Sequence, residues 1–378
     1  MTRAKRLRRS RALGPIGPMQ RLAPAALLAL LLAASAAQAD PRWDALVAAA
    51  QKEGEVDVHG GPGKLYEEAL TKGFARAFPA IKVNYFGASG RDAVPKIVRE
   101  REAGIYSWDV YIGGSTSTVE SLKPAGAFQP LLPALILPEV LDDAAWFGGL
   151  NGEWMDKEKK FVFGFEANVT PTALINWDYL KHDQLTSYDD LLQPQLAGKI
   201  VWDDPRRPGQ GVDVAQRLLL NYGEDYLERL FSQQKIVYSG ITRQTAEWVV
   251  RGTYPIGIGT SFEQTKPFQD MGLGKNIAAF DVPLPHPGRG AGYGTVALMD
   301  HAPHPNAAKV YINYLLSKAG QTDWIITTEN SRRLDVPKAS PETFPKAGVD
   351  YIDDQAEANL PSRKHAAEIA QKYIPSSP

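Results

Sequence analysis

Ser89-Gly90-Arg91 sets a hydroxyl, an unhindered backbone and a guanidinium side by side in YFGASGRDAVPKI, residues 85–97. These groups suit an oxyanion. The guanidinium donates paired hydrogen bonds, and backbone N–H groups at a helix start face the positive end of its dipole. Pro95 fits the first helical turn, where a missing N–H has no partner to lose, which makes Asp92 the expected N-cap and residues 89–91 the approach loop. An ordinary capped turn with a surface arginine has the same pattern, so recurrence is what counts. Similar turns follow apolar strands at residues 113–118 (GGSTST), 205–211 (PRRPGQG) and 239–243 (SGITR). Three of the four contain arginine, and in an open α/β sheet such turns gather at the carboxyl ends of the strands, where ligands bind. The candidate contacts are Ser89, Gly90, Arg91, Ser115, Thr116, Arg206, Arg207, Ser239 and Arg243; His59, Gly60 and Glu166 join them as residues at strand ends.

Other constellations fail on spacing. Gly60-Gly61-Pro62-Gly63-Lys64 is followed by Leu65 where a P-loop needs Ser or Thr, and the glycines of residues 288–294 place Tyr293 where GxGxxG needs glycine. His301 and His304 are separated by Pro303, which puts them in a turn rather than on one helical face. The acidic pairs at 142, 189, 203 and 353 read as solvated turns or caps, and no serine sits in a GxSxG elbow. The expectation is a binding protein with no catalytic residue, no metal and no cofactor. With no cysteine in the chain, disulfides and thiolate metal sites are excluded.

The elements that must position these turns recur as apolar strand, Gly/Ser-rich turn and amphipathic helix, the pattern of an α/β protein with largely parallel sheets. Three such units lie close together, beginning at EVDVHGGPG, IKVNYFGASG and WDVYIGG. The rhythm breaks at KFVFGFEANVTPTALINWDYL, and new units start at KIVWDD, KIVYSG and YPIGIG. A long helix, NAAKVYINYLLSKAGQTDWI, follows, and after residue 336 the chain is polar and Pro-rich with one late helix, RKHAAEIAQKYI.

Residues 1–39 read as a cleavable secretory signal: seven basic and no acidic residues precede APAALLALLLAASAA, which ends in Ala37-Gln38-Ala39. Without them 35 Lys and Arg face 43 Asp and Glu, a net charge of −8 that argues against a nucleic-acid partner.

The sequence resembles the exported solute-binding proteins of ABC importers, in the cluster that contains ferric-ion, thiamine, sugar-phosphate and phosphonate binders. The resemblance rests on AAAQKEGEVDVHGG, FARAFPAIKVNYFGASG, WDVYIGG, LAGKIVWDDPR, VVRGTYPIGIG and APHPNAAKVYINYLLSKAGQ, in that order. It implies an α/β, two-lobed periplasmic-binding-protein fold of type II, with hinge-linked lobes, each a central mixed sheet flanked by helices. On that pattern residues 40–165 and 278–335 form lobe 1, residues 166–277 form lobe 2, and residues 336–378 are a surface tail. It also implies a periplasmic monomer that closes on its solute and delivers it to a membrane permease. Ferric binders of the cluster usually carry adjacent tyrosines after the strand matching YPIGIG; here that place reads Thr260-Ser261-Phe262-Glu263, and no Tyr-Tyr pair exists in the chain. The expected solute is therefore an organic anion with a phosphate, phosphonate or carboxylate handle. Tyr293, Phe262 and Trp202 would meet its remainder. Glu263, Glu166 and His59 keep a ferric alternative open, and Asp203, Asp204, Glu166 and Glu263 a polyamine one. A sensor input domain would share this sequence pattern, whereas an exported phosphoesterase would need an elbow serine or a metal cluster that the sequence does not show.

Overall fold

The computed structural model describes residues 40–374, apart from the side chain of Glu263. The expected signal segment, residues 1–39, lies outside the described residues.

Strands β1 (Glu55–Gly60), β2 (Lys82–Gly87), β3 (Val110–Gly113), β4 (Phe128–Gln129) and β5 (Phe163–Gly164) come first in the chain. They build the first main sheet with β13 (Thr295–Met299) in the order β2-β1-β3-β13-β4, and β5 also pairs with β13. β1 is parallel to β2 and β3, whereas β13 runs antiparallel to β3, β4 and β5. The second sheet contains β7 (Ala173–Asn176), β8 (Ile200–Asp203), β9 (Val237–Ser239), β10 (Ile256–Ile258) and β11 (Ile277–Ala279), in the order β11-β7-β10-β8-β9. β8 is parallel to β9 and β10, and β7 is antiparallel to its neighbours. Three short strands, β6 (Asn168–Val169), β12 (Gly288–Gly290) and β14 (Ile352–Asp353), form a small sheet from segments passing between the two large ones.

Side-chain alternation explains how each sheet is covered on both faces. Val56, Val58, Val110 and Ile112 enter one core with Phe74, Tyr311 and Trp324, while Tyr111 points the other way, toward Ala93, Val94 and Ile97. In the second sheet Ile200 and Trp202 enter a core with Val214, Leu218 and Leu230, and Val201 faces Val249 and Phe268. The helices between these strands are α1 (Pro41–Glu53), α2 (Lys64–Ala77), α3 (Gly90–Glu102), α4 (Gln210–Tyr222), α5 (Glu224–Gln233), α6 (Thr242–Val250) and α7 (Phe262–Asp270). They are followed by α8 (Pro305–Leu316), α9 (Lys318–Trp324) and α10 (Leu360–Tyr373).

Two expectations are corrected. Helix α3 starts a full turn earlier than Pro95 suggested: Ser89 is its N-cap, Asp92 is its third residue, and the Ser89 hydroxyl donates to the Asp92 carboxylate at 2.6 Å. Pro95 lies inside the helix, so the Arg91 carbonyl lacks its usual N–H partner. The end of the chain is no mere surface tail. Ala366, Ile369, Ala370 and Ile374 are buried in the second core, where α10 packs on α4 and α5.

Candidate functional site

The carboxyl ends of β1, β2 and β3 and the start of antiparallel β13 meet at one edge of the first sheet. There the connecting turns touch. Ala88 N donates to Gly60 O at 3.1 Å, and Thr295 Oγ1 donates to Gly113 O at 2.6 Å. A Cβ on Gly90 would lie 2.3 Å from Ser117 Oγ, and one on Gly114 would lie 3.7 Å from Gly292 O. At residue 90 only glycine leaves room for the Ser117 side chain, whereas a Cβ on Gly114 would make an ordinary contact. The amino end of α3 thus opens beside the turn after β3, with Ser89 and Gly90 half-buried and Arg91 exposed at the rim. Ser117 and Thr118 hydroxyls donate to Gly114 O at 3.1 and 2.8 Å, whereas the buried Thr116 Oγ1 has no hydrogen-bond partner among the described residues. Tyr293 is half-buried in the loop before β13, its ring centroid 5.2 Å from that of Tyr66.

The corresponding edge of the second sheet is built differently. Asp203, ending β8, accepts from Gly211 N at 3.0 Å and so already caps α4. Burial raises the Asp203 pKa above its ordinary value, Asp204 and Asp213 add to this, and the positive charge of Arg91, from the first sheet's edge, opposes it. Arg206 is held by Asp204 through Nε and Nη2, both at 2.8 Å. Arg207 is exposed and covers Gly240, where a Cβ would lie 2.6 Å from its Nη1. Arg243, also exposed, opens α6 and lines a cavity of about 220 Å³ with Thr242, Gln264, Pro267, Phe268 and Met271. Phe262 is exposed at the start of α7, and Thr260, two residues earlier, is 2 % exposed with its Oγ1 lacking a partner among the described residues.

Several expected contacts lie elsewhere or are already engaged. His59 faces away from the edge into the core beneath α3. It is fully buried, its ring stacks on Tyr111 at 4.4 Å, and Nδ1 donates to Ile112 O at 3.0 Å. Burial lowers its pKa to about 4, so the ring is neutral. Gly60 is covered by Tyr85, whose hydroxyl donates to Gly61 O. Ser115 is fully buried and donates to Gln355 Oε1 at 3.0 Å. Ser239 donates to Gln244 Oε1 at 2.9 Å and accepts from Ile241 N. Glu166 is 1 % exposed and accepts from Asn168 at 2.9 Å. Trp202, expected beside the solute, is buried in the second core. The edges also include Ser117, which belongs to the expected turn at residues 113–118, and Thr260 and Gly292, which were not among the candidate contacts. For Thr260 the available signal was a hydroxyl two residues past the apolar strand β10.

Asp57, Asp109 and His304 form a separate cluster with ligand atoms within 4.8 Å of one another. It lies at the amino ends of β1 and β3, the far end of the strands from the turns. Its groups are engaged with each other: His304 Nδ1 is 2.8 Å from Asp109 Oδ2, and His304 N and Asp57 N both donate to Asp109.

A model of the family "Bacterial extracellular solute-binding protein" matches residues 57–322. An uncharacterized Haemophilus influenzae protein is 24% identical over 285 residues, covering 73% of this chain and 77% of that protein. Among solved structures, the iron- and citrate-bound FutA of Trichodesmium superposes with a TM-score of 0.65 at 16% identity, covering 85% of this chain and 99% of that one. Apo ferric ion-binding protein A of Pasteurella haemolytica gives 0.64 at 19%, covering 86% and 100%. The periplasmic binding protein AfuA of Actinobacillus pleuropneumoniae, with fructose-6-phosphate bound, gives 0.59 at 20%, covering 85% and 98%. At these identities the likeness establishes the fold, α/β of the periplasmic-binding-protein type with two mixed sheets flanked by helices. With that fold and the family match over most of its length, the chain belongs to the bacterial extracellular solute-binding proteins, non-enzymatic components that bind substrate for ABC import.

Proposed function

We propose that this protein captures a small organic anion by a phosphate, phosphonate or carboxylate group. The anion lies between two hinge-linked lobes, residues 40–165 with 278–335 and residues 166–277, for delivery to a membrane permease. The observation that carries this reading is the contact of two strand–helix turns at Gly90 and Ser117, with Arg91 at their rim and, in the second turn, a Thr116 Oγ1 that has no partner among the described residues. The amides of Gly90 and Arg91, which open the 13-residue helix α3, meet the anion along its dipole. Thr116 adds a hydroxyl and Arg91 a fork of donors. Arg207 and Arg243 approach from the second sheet's edge, and Tyr293 and Phe262 receive the organic remainder. The likeness to a protein solved with fructose-6-phosphate supports a phosphorylated solute of modest size.

Other structures of this fold bind iron, but the tyrosines here favour that reading less. The Tyr85 hydroxyl is already engaged, donating to Gly61 O. The test is to release small molecules from protein purified out of the periplasm and identify them by mass spectrometry and phosphorus NMR. A phosphorylated, phosphonylated or carboxylated compound at near-stoichiometric amount supports the reading. Iron or a polyamine at that level contradicts it.

A further inference from the structure

The chain passes between the two main sheets a third time, after α9 in the first core and before α10 in the second, and this passage lies beyond the family-matched residues 57–322. Its last part is bonded to both sides. Toward the first sheet, Gln355 Oε1 accepts from Ser115 Oγ at 3.0 Å, Arg363 Nη1 reaches Glu120 at 3.5 Å, and Glu357 accepts from Lys157 N at 2.8 Å and pairs with Lys123. Toward the second sheet, Arg363 Nε donates to Asp213 at 2.6 Å, Gln355 Nε2 reaches the same carboxylate at 3.5 Å, and Asp354 pairs with buried Arg217. Gln216 Nε2 closes the set by donating to Asn359 O at 2.9 Å and Ser362 Oγ at 3.0 Å. Asp213, Gln216 and Arg217 all belong to α4, which Asp203 caps at the second edge, and Ser115 opens the turn of the first edge. Two short relays therefore join the edges: Ser115–Gln355–Asp213 and Glu120–Arg363–Asp213.

We propose that residues 353–363 are a brace that sets the spacing of the two strand-end edges, with Gln355 and Arg363 as its positioning residues. Both side chains end on Asp213, so loss of either removes one relay and loss of both removes the two that run through Asp213, leaving Asp354–Arg217 and the Gln216 bonds to hold the segment to α4 and Glu357 to hold it to the first sheet. Arg363 is 7 % exposed and its Nε bond to Asp213 is charge-assisted, which makes it the stronger member. The consequence for affinity rests on the anion reading above; the brace itself does not.

The experiment exploits a chain without cysteine. Spin labels are attached at Lys72→Cys on α2 and Lys266→Cys on α7, both exposed lysines, and the distance distribution is measured by pulsed double resonance without added ligand. The brace predicts a narrow distribution in the parent and a broader, longer one in Gln355→Ala/Arg363→Gln, with unchanged far-ultraviolet circular dichroism. Arg363→Lys, which keeps the charge, should stay close to the parent. If the double variant does not fold, Gln355→Ala and Ser115→Ala each cut the first relay from one end and should broaden the distribution alike. A distribution unchanged in every folded variant overturns the brace. Titration with inorganic phosphate and glycerol 3-phosphate separates the two ideas: broadening, with neither probe bound by the parent, upholds the brace and counts against a phosphate handle.

Discussion

Gly90 and Ser117 belong to turns after different strands, yet a Cβ on Gly90 would sit 2.3 Å from Ser117 Oγ and 2.9 Å from Ser117 Cβ. In an unencumbered helix, Gly→Ala is worth about 1 kcal/mol of stabilisation. Here the clash decides the sign. Gly90→Ala should lower the unfolding midpoint and weaken anion binding, and a Ser117→Gly background should recover most of the stability. Thermal unfolding of the two single variants and the double checks the coupling.

Asp203 separates anion from cation. Its carboxylate lies at the second sheet's edge, where the charge of Arg91 is felt. Asp203→Asn keeps an oxygen to accept from Gly211 N and removes the charge. For an anionic solute, affinity should hold or improve by roughly threefold to tenfold, on the order of 1 kcal/mol. For a polyamine it should collapse. Calorimetric titration of parent and variant distinguishes the two.

His59 should make stability fall in acid. Burial lowers its folded pKa to about 4, against 6.5 for the ordinary imidazole. The unfolded chain therefore binds the extra proton first as pH drops below 6.5, and the stabilisation present above that value is lost progressively down to about 4. From pH 7.5 to pH 5 this one group accounts for about 2 kcal/mol. Urea unfolding at the two values, compared with His59→Phe, should show that much less pH dependence in the variant.

Arg217 and Asp354 form an ion pair with side chains 1 % and 4 % exposed. Burial raises the Asp354 pKa to about 6 even though Arg217 opposes the shift. Arg217→Met would leave a buried carboxylate uncompensated, at a cost of about 3–5 kcal/mol near neutral pH. Without the guanidinium the folded pKa of Asp354 rises further. The deficit should therefore shrink as pH falls toward the unfolded carboxyl value, where the group is neutral in both states. Chemical denaturation at pH 8 and pH 5 tests the sign.

What the sequence made legible follows from local physics. Val56 and Val58 alternate, the glycines after β1, β2 and β3 mark tight approaches, and the strand–turn–helix units expected at residues 55–102 are present, whereas the third has only short, irregular helical turns at residues 115–122. Long-range contacts were not legible. The helix RKHAAEIAQKYI hides its buried face in Ala366, Ile369, Ala370 and Ile374, spread among charges, and its partner α4 lies about 150 positions upstream. Gln355 holds Ser115 across 240 positions, so a hydroxyl that read as free for ligand is engaged. His59 was placed at a strand end, but the period-two alternation that sends Val58 into one core sends residue 59 to the opposite face. Pro95 misplaced the N-cap because a proline one turn further in can be accommodated when only the Arg91 carbonyl loses its partner.

The most direct measurement is a thermal-unfolding scan of the protein against phosphate esters, phosphonates, dicarboxylates, polyamines and ferric citrate, with Arg91→Ala alongside. A ligand at 100 times its dissociation constant stabilises the folded state by about 2.7 kcal/mol, enough to raise the midpoint by a few degrees. The anion reading predicts a rise with a phosphorylated, phosphonylated or carboxylated compound, lost or much reduced in Arg91→Ala, whose exposed side chain leaves the unliganded midpoint unchanged. A rise with ferric citrate or a polyamine alone, equal in parent and variant, would contradict it.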